Sequence, residues 1–176
     1  EEADRKAKEV AQAQSKPAAP ASLDGQPPSS QQWNGHLLST CCEEYYRLVR
    51  NDESPITWVL LKHENNTKVR AEAVGSGGLN EVHQHLTEKD TAFIYIRFQT
   101  GDKESVRSKF VFISWCGAKA PIMRKAKMSV HKADVKSVFI SSAIELHATD
   151  IDELDEQAIR KSLQRAGGAN YNGQGQ

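Results

Sequence analysis

The chain has 176 residues, 38% of them hydrophobic, which is enough for one buried core and a tail but too few for two comfortable domains. Its 23 basic and 23 acidic residues cancel, so the chain as a whole lacks the cationic excess of a polyanion binder. No apolar run approaches the roughly 20 residues that cross a bilayer, the first residues have no apolar signal centre, and three cysteines form neither a disulfide framework nor a zinc spacing. These features predict a cytosolic protein with free thiols and no membrane partner. The chain starts without Met, as a processed product or a piece of a longer protein would.

In chain order, residues 1–36 read as a low-complexity, disordered tail: four of the six prolines fall there with Ser, Gln and Gly, too little hydrophobe to offset ordering entropy. The tail is an inert tether or a docking arm for an unknown partner, with Trp33 as the residue able to fold back onto the domain. A helix follows in which Leu38, Cys41, Tyr45, Leu48 and Val49 recur at steps of three and four, ended by Asn51 and Pro55. Trp58–Leu61 reads as a strand apolar on both faces, and a turn at Asn65 and Asn66 leads to a second strand at Lys68–Val74. A Gly-rich turn and a short helix with Leu79, Val82 and Leu86 precede a third strand closed by the Gly101–Asp102 turn; strand four is Lys109–Cys116. Pro121 opens a basic helix, a separate helical run covers Ala133–Phe139, and a last strand lies at Ala143–His147. The final helix spans Asp152–Ala166, acidic in its first turn and basic in its last, stopped by Gly167. Helices between hairpin strands predict an α/β or α+β domain, a five- or six-stranded mixed sheet covered on both faces, over residues 37–171, with 172–176 a flexible C-terminus.

Catalytic and cofactor readings fail on spacing. Gly75-Ser76-Gly77-Gly78 lacks the Lys and Ser/Thr of a phosphate loop and the length of a dinucleotide fingerprint, so it reads as a turn. His83 and His85 point to different sides of a helix, and His63, His131 and His147 have no ligand-spaced partner, so no metal is expected. Cys41 on the apolar helix face and Cys116 at the end of a buried strand both read as packing residues, Cys116 having basic neighbours in sequence. Nowhere do acid, base and nucleophile assemble, and no enzyme or cofactor is predicted.

What remains is charge. Residues 107–136 hold eight Lys or Arg and one acid, Asp134, without the Glu–Lys pairs that solvated helices use, whereas residues 145–156 carry six acids and no Lys or Arg. A basic segment of this kind captures an acidic partner. Phe110, Phe112 and Trp115 read as buried in the strand instead of displayed for base stacking, which favours a protein surface over nucleic acid.

The residues Arg107-Ser108-Lys109-Phe110 after Thr100-Gly101-Asp102, the strand end Ile113-Ser114-Trp115 with Gly117, the opening Tyr46-x-Leu48-Val49-Arg50-Asn51-Asp52 with Trp58, Ile96-Arg97-Phe98 and the ending Ala166-Gly167-Gly168-Ala169-Asn170-Tyr171 together resemble the coactosin branch of the actin-depolymerising-factor homology (ADF-H) proteins. The resemblance covers residues 37–171. It implies the ADF-H fold, a cytoplasmic and cytoskeletal setting, and non-catalytic binding to the side of actin filaments. It also implies actin contacts at Lys109 and at Arg124, Lys125 and Lys127 on the helix after strand four; Arg107, beside Lys109, joins them by its charge. Two departures stand out. The 36-residue tail has no counterpart in compact coactosins, which admits a scaffold recruited through the tail. Lys125-Ala126-Lys127-Met128 is closer to the Lys-x-Lys-Met of cofilins, which makes Met128 a candidate contact and admits monomer binding or severing.

Overall fold

The computed structural model describes residues 37–65, 67–102 and 105–167. The tail with Trp33, the sequence from Gly168 through Tyr171 and residues 172–176 lie outside the described residues. In order, the elements are α1 (Thr40–Arg50), β1 (Trp58–His63), β2 (Val69–Gly75), α2 (Leu79–His83), β3 (Thr91–Asp102), β4 (Ser105–Cys116), α3 (Ile122–Val138), β5 (Ile144–Ala148), a 3-10 turn (Ile151–Glu153) and α4 (Glu156–Ala166). The strands form one sheet ordered β2-β1-β3-β4-β5, antiparallel except for the parallel β4–β5 pair.

Period-two alternation splits the apolar residues of each strand between two layers. Val59 and Leu61, Phe93 and Tyr95, and Phe112 and Cys116 face one side, where Cys42, Tyr45 and Val49 of α1, Met128 and Val135 of α3, and Phe139 cover them. Trp58, Leu60, Ile94, Ile96, Val111, Ile113 and Trp115 face the other, under Leu79 and Val82 of α2, Leu86, Leu154, and Ile159 and Leu163 of α4. Strands buried on both faces explain why β1, β3 and β4 read as near-continuous hydrophobic runs. The described sheet has five strands, the lower of the two numbers expected.

Several boundaries differ from the sequence reading, each for a physical reason. The buried stripe of α1 keeps Tyr45 and Val49 as expected but takes Cys42 in place of Cys41, which with Leu48 is only half-buried. β4 begins at Ser105 instead of Lys109, because the hairpin with β3 stays in register from Thr91↔Cys116 out to Asp102↔Ser105; Gly101, with φ of +114°, is accommodated inside the strand. α3 is one 17-residue helix where two were expected, since Ser129 to Lys132 contain no breaker. The final helix starts later, at Glu156: Asp150 caps the 3-10 turn, and Asp155 caps α4 by accepting from the amides of Gln157 and Ala158.

The Gly-rich turn is explained by packing. A Cβ on Gly75 would sit 2.6 Å from the Trp58 ring and 2.5 Å from Glu81 Oε2, and that carboxylate accepts from Trp58 Nε1 at 2.7 Å and from the Gly77 amide at 2.7 Å. An acidic side chain therefore occupies the place a phosphate would need.

Arg97 is the one nearly buried cation among the described residues, its side chain 4% exposed. It donates to the carbonyls of Asn51 and Ser54 and lies 3.7 Å from Asp52, pinning the loop after α1 onto β3. A buried guanidinium is tolerated only when its donors are matched, and removing it strands two carbonyls. Arg97→Ala is expected to cost about 2–3 kcal/mol in urea unfolding with the m-value unchanged, and Arg97→Lys, lacking the fork, to recover less than half.

Candidate functional site

The basic residues singled out above occupy two separate places. β4 alternation sends Arg107 and Lys109 to the α4 side of the sheet, while Ser108 and Phe110 turn to the α1 side. Ser108 Oγ donates to the Asp52 carboxylate, and Phe110 stacks flat on Tyr95 at 5.6 Å with Arg50 lying 4.6 Å over its ring. Arg107 is exposed and Lys109 half-buried, its Nζ 3.7 Å from where a Cβ on Gly167 would sit, beside the C-terminal end of α4. That end carries the negative pole of the helix, which holds an ammonium in place without neutralising it. Arg165, exposed in the same last turn, adds a cation to this end that sequence reasoning did not single out, because it had been assigned only to the helix dipole.

Arg124, Lys125 and Lys127 lie elsewhere. α3 covers the opposite face of the sheet, and its first turns sit at the end where β1 and β4 finish, shown by His131 of α3 meeting His63 at the end of β1. From Lys109 to Cys116 is seven strand steps, about 24 Å. These basic residues thus form two patches, at opposite ends of β4 and on opposite faces of the sheet.

The helix itself is inverted relative to an ordinary surface helix. Its outward face carries an apolar stripe: Ile122 is 84% exposed, Met123 67% and Val130 69%, with Ala126 between them and Ala133 beyond at helical spacing, and exposed Ser129, Asp134 and Ser137 beside it. The cations form the flanks, Arg124 and Lys127 on one side, Lys125, Lys132 and Lys136 on the other. Lys132 and Lys136 are held by Glu145 of β5, and Lys125 Nζ donates to the Ala118 carbonyl at 3.2 Å, whereas Arg124 and Lys127 have no ion pair among the described residues. Met128 does not belong to this surface. It is 4% exposed, pointing into the α1 side of the core with Val135, so its candidacy as a contact is corrected to packing. Met123 and Ile122 are the apolar residues the helix presents, and Val130, which the sequence reading passed over, extends them by two turns.

Five of the six acids in the run that follows the basic one are engaged locally. Glu145 neutralises two lysines, Asp150 and Asp155 cap, Glu153 accepts from the Thr149 amide at 2.6 Å, and Glu156 pairs with Arg160. The 60 Å³ hollow at the start of α3 is lined by His63, Glu64, Asn65, Arg124 and Lys127. His63 Nε2 lies 3.1 Å from His131 Nδ1, a pair invisible at 68 residues of separation. No group of three or more His, Cys, Asp or Glu among the described residues is arranged to hold a metal, and no described helix is long and apolar enough to cross a membrane.

Residues 36–164 match the family model of cofilin/tropomyosin-type actin-binding proteins. Coactosin of Dictyostelium discoideum is 39% identical over 138 residues, spanning 78% of this chain and 94% of its own length. The crystal structure of coactosin from Entamoeba histolytica superposes with a TM-score of 0.68 at 35% identity, covering 77% of this chain and 99% of that one. The solution structure of mouse coactosin, an actin filament binding protein, superposes with a TM-score of 0.62 at 35% identity over 77% of this chain and 94% of that one. The chain belongs to the cofilin/tropomyosin-type actin-binding family and, within it, to the coactosins.

Burial holds the His63 imidazole neutral, and His131, Arg124 and Lys127 add repulsion to its charged form, pushing it down to about 4. The unfolded chain therefore binds a proton here that the native one refuses between about pH 6.5 and 4, and stability falls as pH drops through that window. Between pH 7 and 5 the loss is about 1–2 kcal/mol once solvent screening of this half-exposed site is allowed for. His63→Gln should flatten the dependence of the urea midpoint over that range; an unchanged slope assigns it to other groups.

Proposed function

We propose that this protein is a non-catalytic cytoskeletal regulator that binds the sides of actin filaments in the cytoplasm. The observation that carries this reading is the pair of cation-bearing ends. Arg107 and Lys109 stand at the hairpin end, and the apolar stripe of Ile122, Met123 and Val130, edged by Arg124 and Lys127, stands at the other. Long-range attraction from the cations brings an acidic surface in, and the exposed apolar residues supply the desolvated centre on which affinity rests. Two patches about 24 Å apart on opposite faces favour a partner that repeats its surface along a polymer. The filament binding of mouse coactosin supports the same choice.

A second reading, monomer binding of the cofilin kind, is favoured by one feature: the outward face of α3, with Lys125 and Lys127, forms a complete groove-filling surface without the hairpin end. The two readings separate by mutation. Lys109→Ala is expected to lose most co-sedimentation with filaments while keeping its unfolding midpoint, and wild-type binding should weaken several-fold between 50 and 200 mM salt; a variant that pellets as well as wild type refutes the assignment of Lys109. Val130→Glu, on the apolar stripe, should cost at least tenfold in affinity for whichever form of actin α3 contacts, read by parallel pelleting and monomer titration. Deleting residues 1–36 leaves filament binding intact in this reading, whereas a scaffold acting through its tail loses partner capture.

A further inference from the structure

β4 is longer than the strand beside it. Its pairing with β3 runs from Ser105 to Cys116, whereas β5 pairs only with residues 111–115. The chain leading into β5 first meets β4 where the Ala143 amide donates to the Phe110 carbonyl at 2.7 Å. Residues 105–109 therefore form a free strand edge at the hairpin end of the sheet.

The ladder decides which backbone groups that edge displays. The Arg97 amide donates to the Thr57 carbonyl at 2.8 Å, so odd-numbered residues of β3 turn their backbone toward β1 and even-numbered ones toward β4. Through the pairs Phe98↔Lys109 and Thr100↔Arg107, Lys109 and Arg107 bond inward to β3, while Val106, Ser108 and Phe110 turn their amides and carbonyls away from it. Ala143 takes the Phe110 carbonyl; the amides and carbonyls of Val106 and Ser108 have no partner among the described residues. Side chains alternate across the sheet. Val106, 61% exposed, lies on the α1 side, and so does Ile140, 69% exposed, next to Ser141, whose carbonyl accepts from Tyr95 Oη at 2.7 Å. Arg107 and Lys109 lie on the α4 side, neither in an ion pair among the described residues.

Those cations select what the edge can pair with. A second copy, joined antiparallel about a two-fold axis, would gather Arg107 and Lys109 of both chains on one face of the combined sheet, where like charges repel. An extended peptide can instead present apolar side chains to one face and carboxylates to the other. We propose that the Ser105–Lys109 edge of β4 is a β-augmentation site for an extended peptide that alternates apolar and acidic residues, paired antiparallel. The peptide continues the line of β5 toward the hairpin tip. Its backbone bonds to Val106 and Ser108, its apolar residues cover Val106 and Ile140, and its carboxylates meet Arg107 and Lys109. Lys109 is also the residue assigned to the filament contact, so peptide and filament compete for it, but capture of the peptide requires no actin and stands or falls separately.

The full chain is titrated, without actin, with an end-blocked, fluorescein-labelled peptide alternating valine and glutamate, read by anisotropy, and with the unlabelled peptide by amide NMR. Saturable binding is expected, several-fold weaker in Arg107→Ala and between about 50 and 200 mM salt, with the Val106 and Ser108 amides shifting and gaining exchange protection. In the antiparallel register the valine amides face β4, so methylating them should cost at least tenfold, whereas methylating the glutamate amides, which face solvent, should leave affinity unchanged. Absence of saturable binding, a valine-methylated peptide that binds as tightly as the parent, or shifts centred on Arg124 and Lys127 instead of Val106 and Ser108 overturns the proposal. So do Val106 shifts that grow with protein concentration in the absence of peptide, which would assign the edge to a second copy.

Discussion

The twelve-residue antiparallel register of β3 and β4 is the constraint on which the rest of the molecule depends. Because the pleat has period two, fixing Ile94 opposite Ile113 and Tyr95 opposite Phe112 assigns every neighbour to one face or the other. A slip of one residue would drive the aromatic set of one core layer into the aliphatic set of the other. It would also move Lys109 from beside the end of α4 to the place of Phe110, under Arg50 and against Tyr95, where a cation has no acceptor. The core and the charge display are in this sense one decision. Arg97 belongs to it too, since its register position on β3 is what brings the guanidinium under the loop that follows α1.

Charge in this protein works by segregation, not by excess. The formal net charge is zero, but five of the six acids of residues 145–156 are engaged in caps and in pairs with Lys132, Lys136 and Arg160, while Arg124 and Lys127 have no ionic partner among the described residues. A neutral total thereby coexists with two local cationic fields, which at physiological ionic strength reach only about 8 Å and so act on a docking surface, not on the solution at large.

Most of the fold was legible in the sequence because its signals are local. Strands buried on both faces announce themselves as Val, Ile and Phe runs, and Gly, Pro and Asn punctuate them. The misreadings came where two local signals competed. On α1, Cys41 and Cys42 fit an apolar stripe almost equally, and only packing into the core layer on that face of the sheet selected Cys42. On α3, Met128 reads from the sequence as a contact beside Lys125 and Lys127, yet the sheet took Met128 with Val135, and no pattern within the helix could reveal which stripe the sheet would choose. The membership of Lys109 and Arg107 in a charged surface was readable from residue type; that the α3 patch lies on the opposite face of the sheet was not, because the path from β4 around to the other face is a property of topology. The meeting of His63 with His131 was beyond local pattern for the same reason.

The inverted burial of α3 bears on motion as well as recognition. A helix about 25 Å long is attached to the sheet through Met128 and Val135 near its middle and Phe139 just past its end, so its first turns contribute almost nothing apolar to the core. Segments with few buried contacts open at free energies well below that of global unfolding. By that measure the leading turns of α3, which bury no apolar side chain before Met128, are where local opening of this helix should begin, ahead of either core layer.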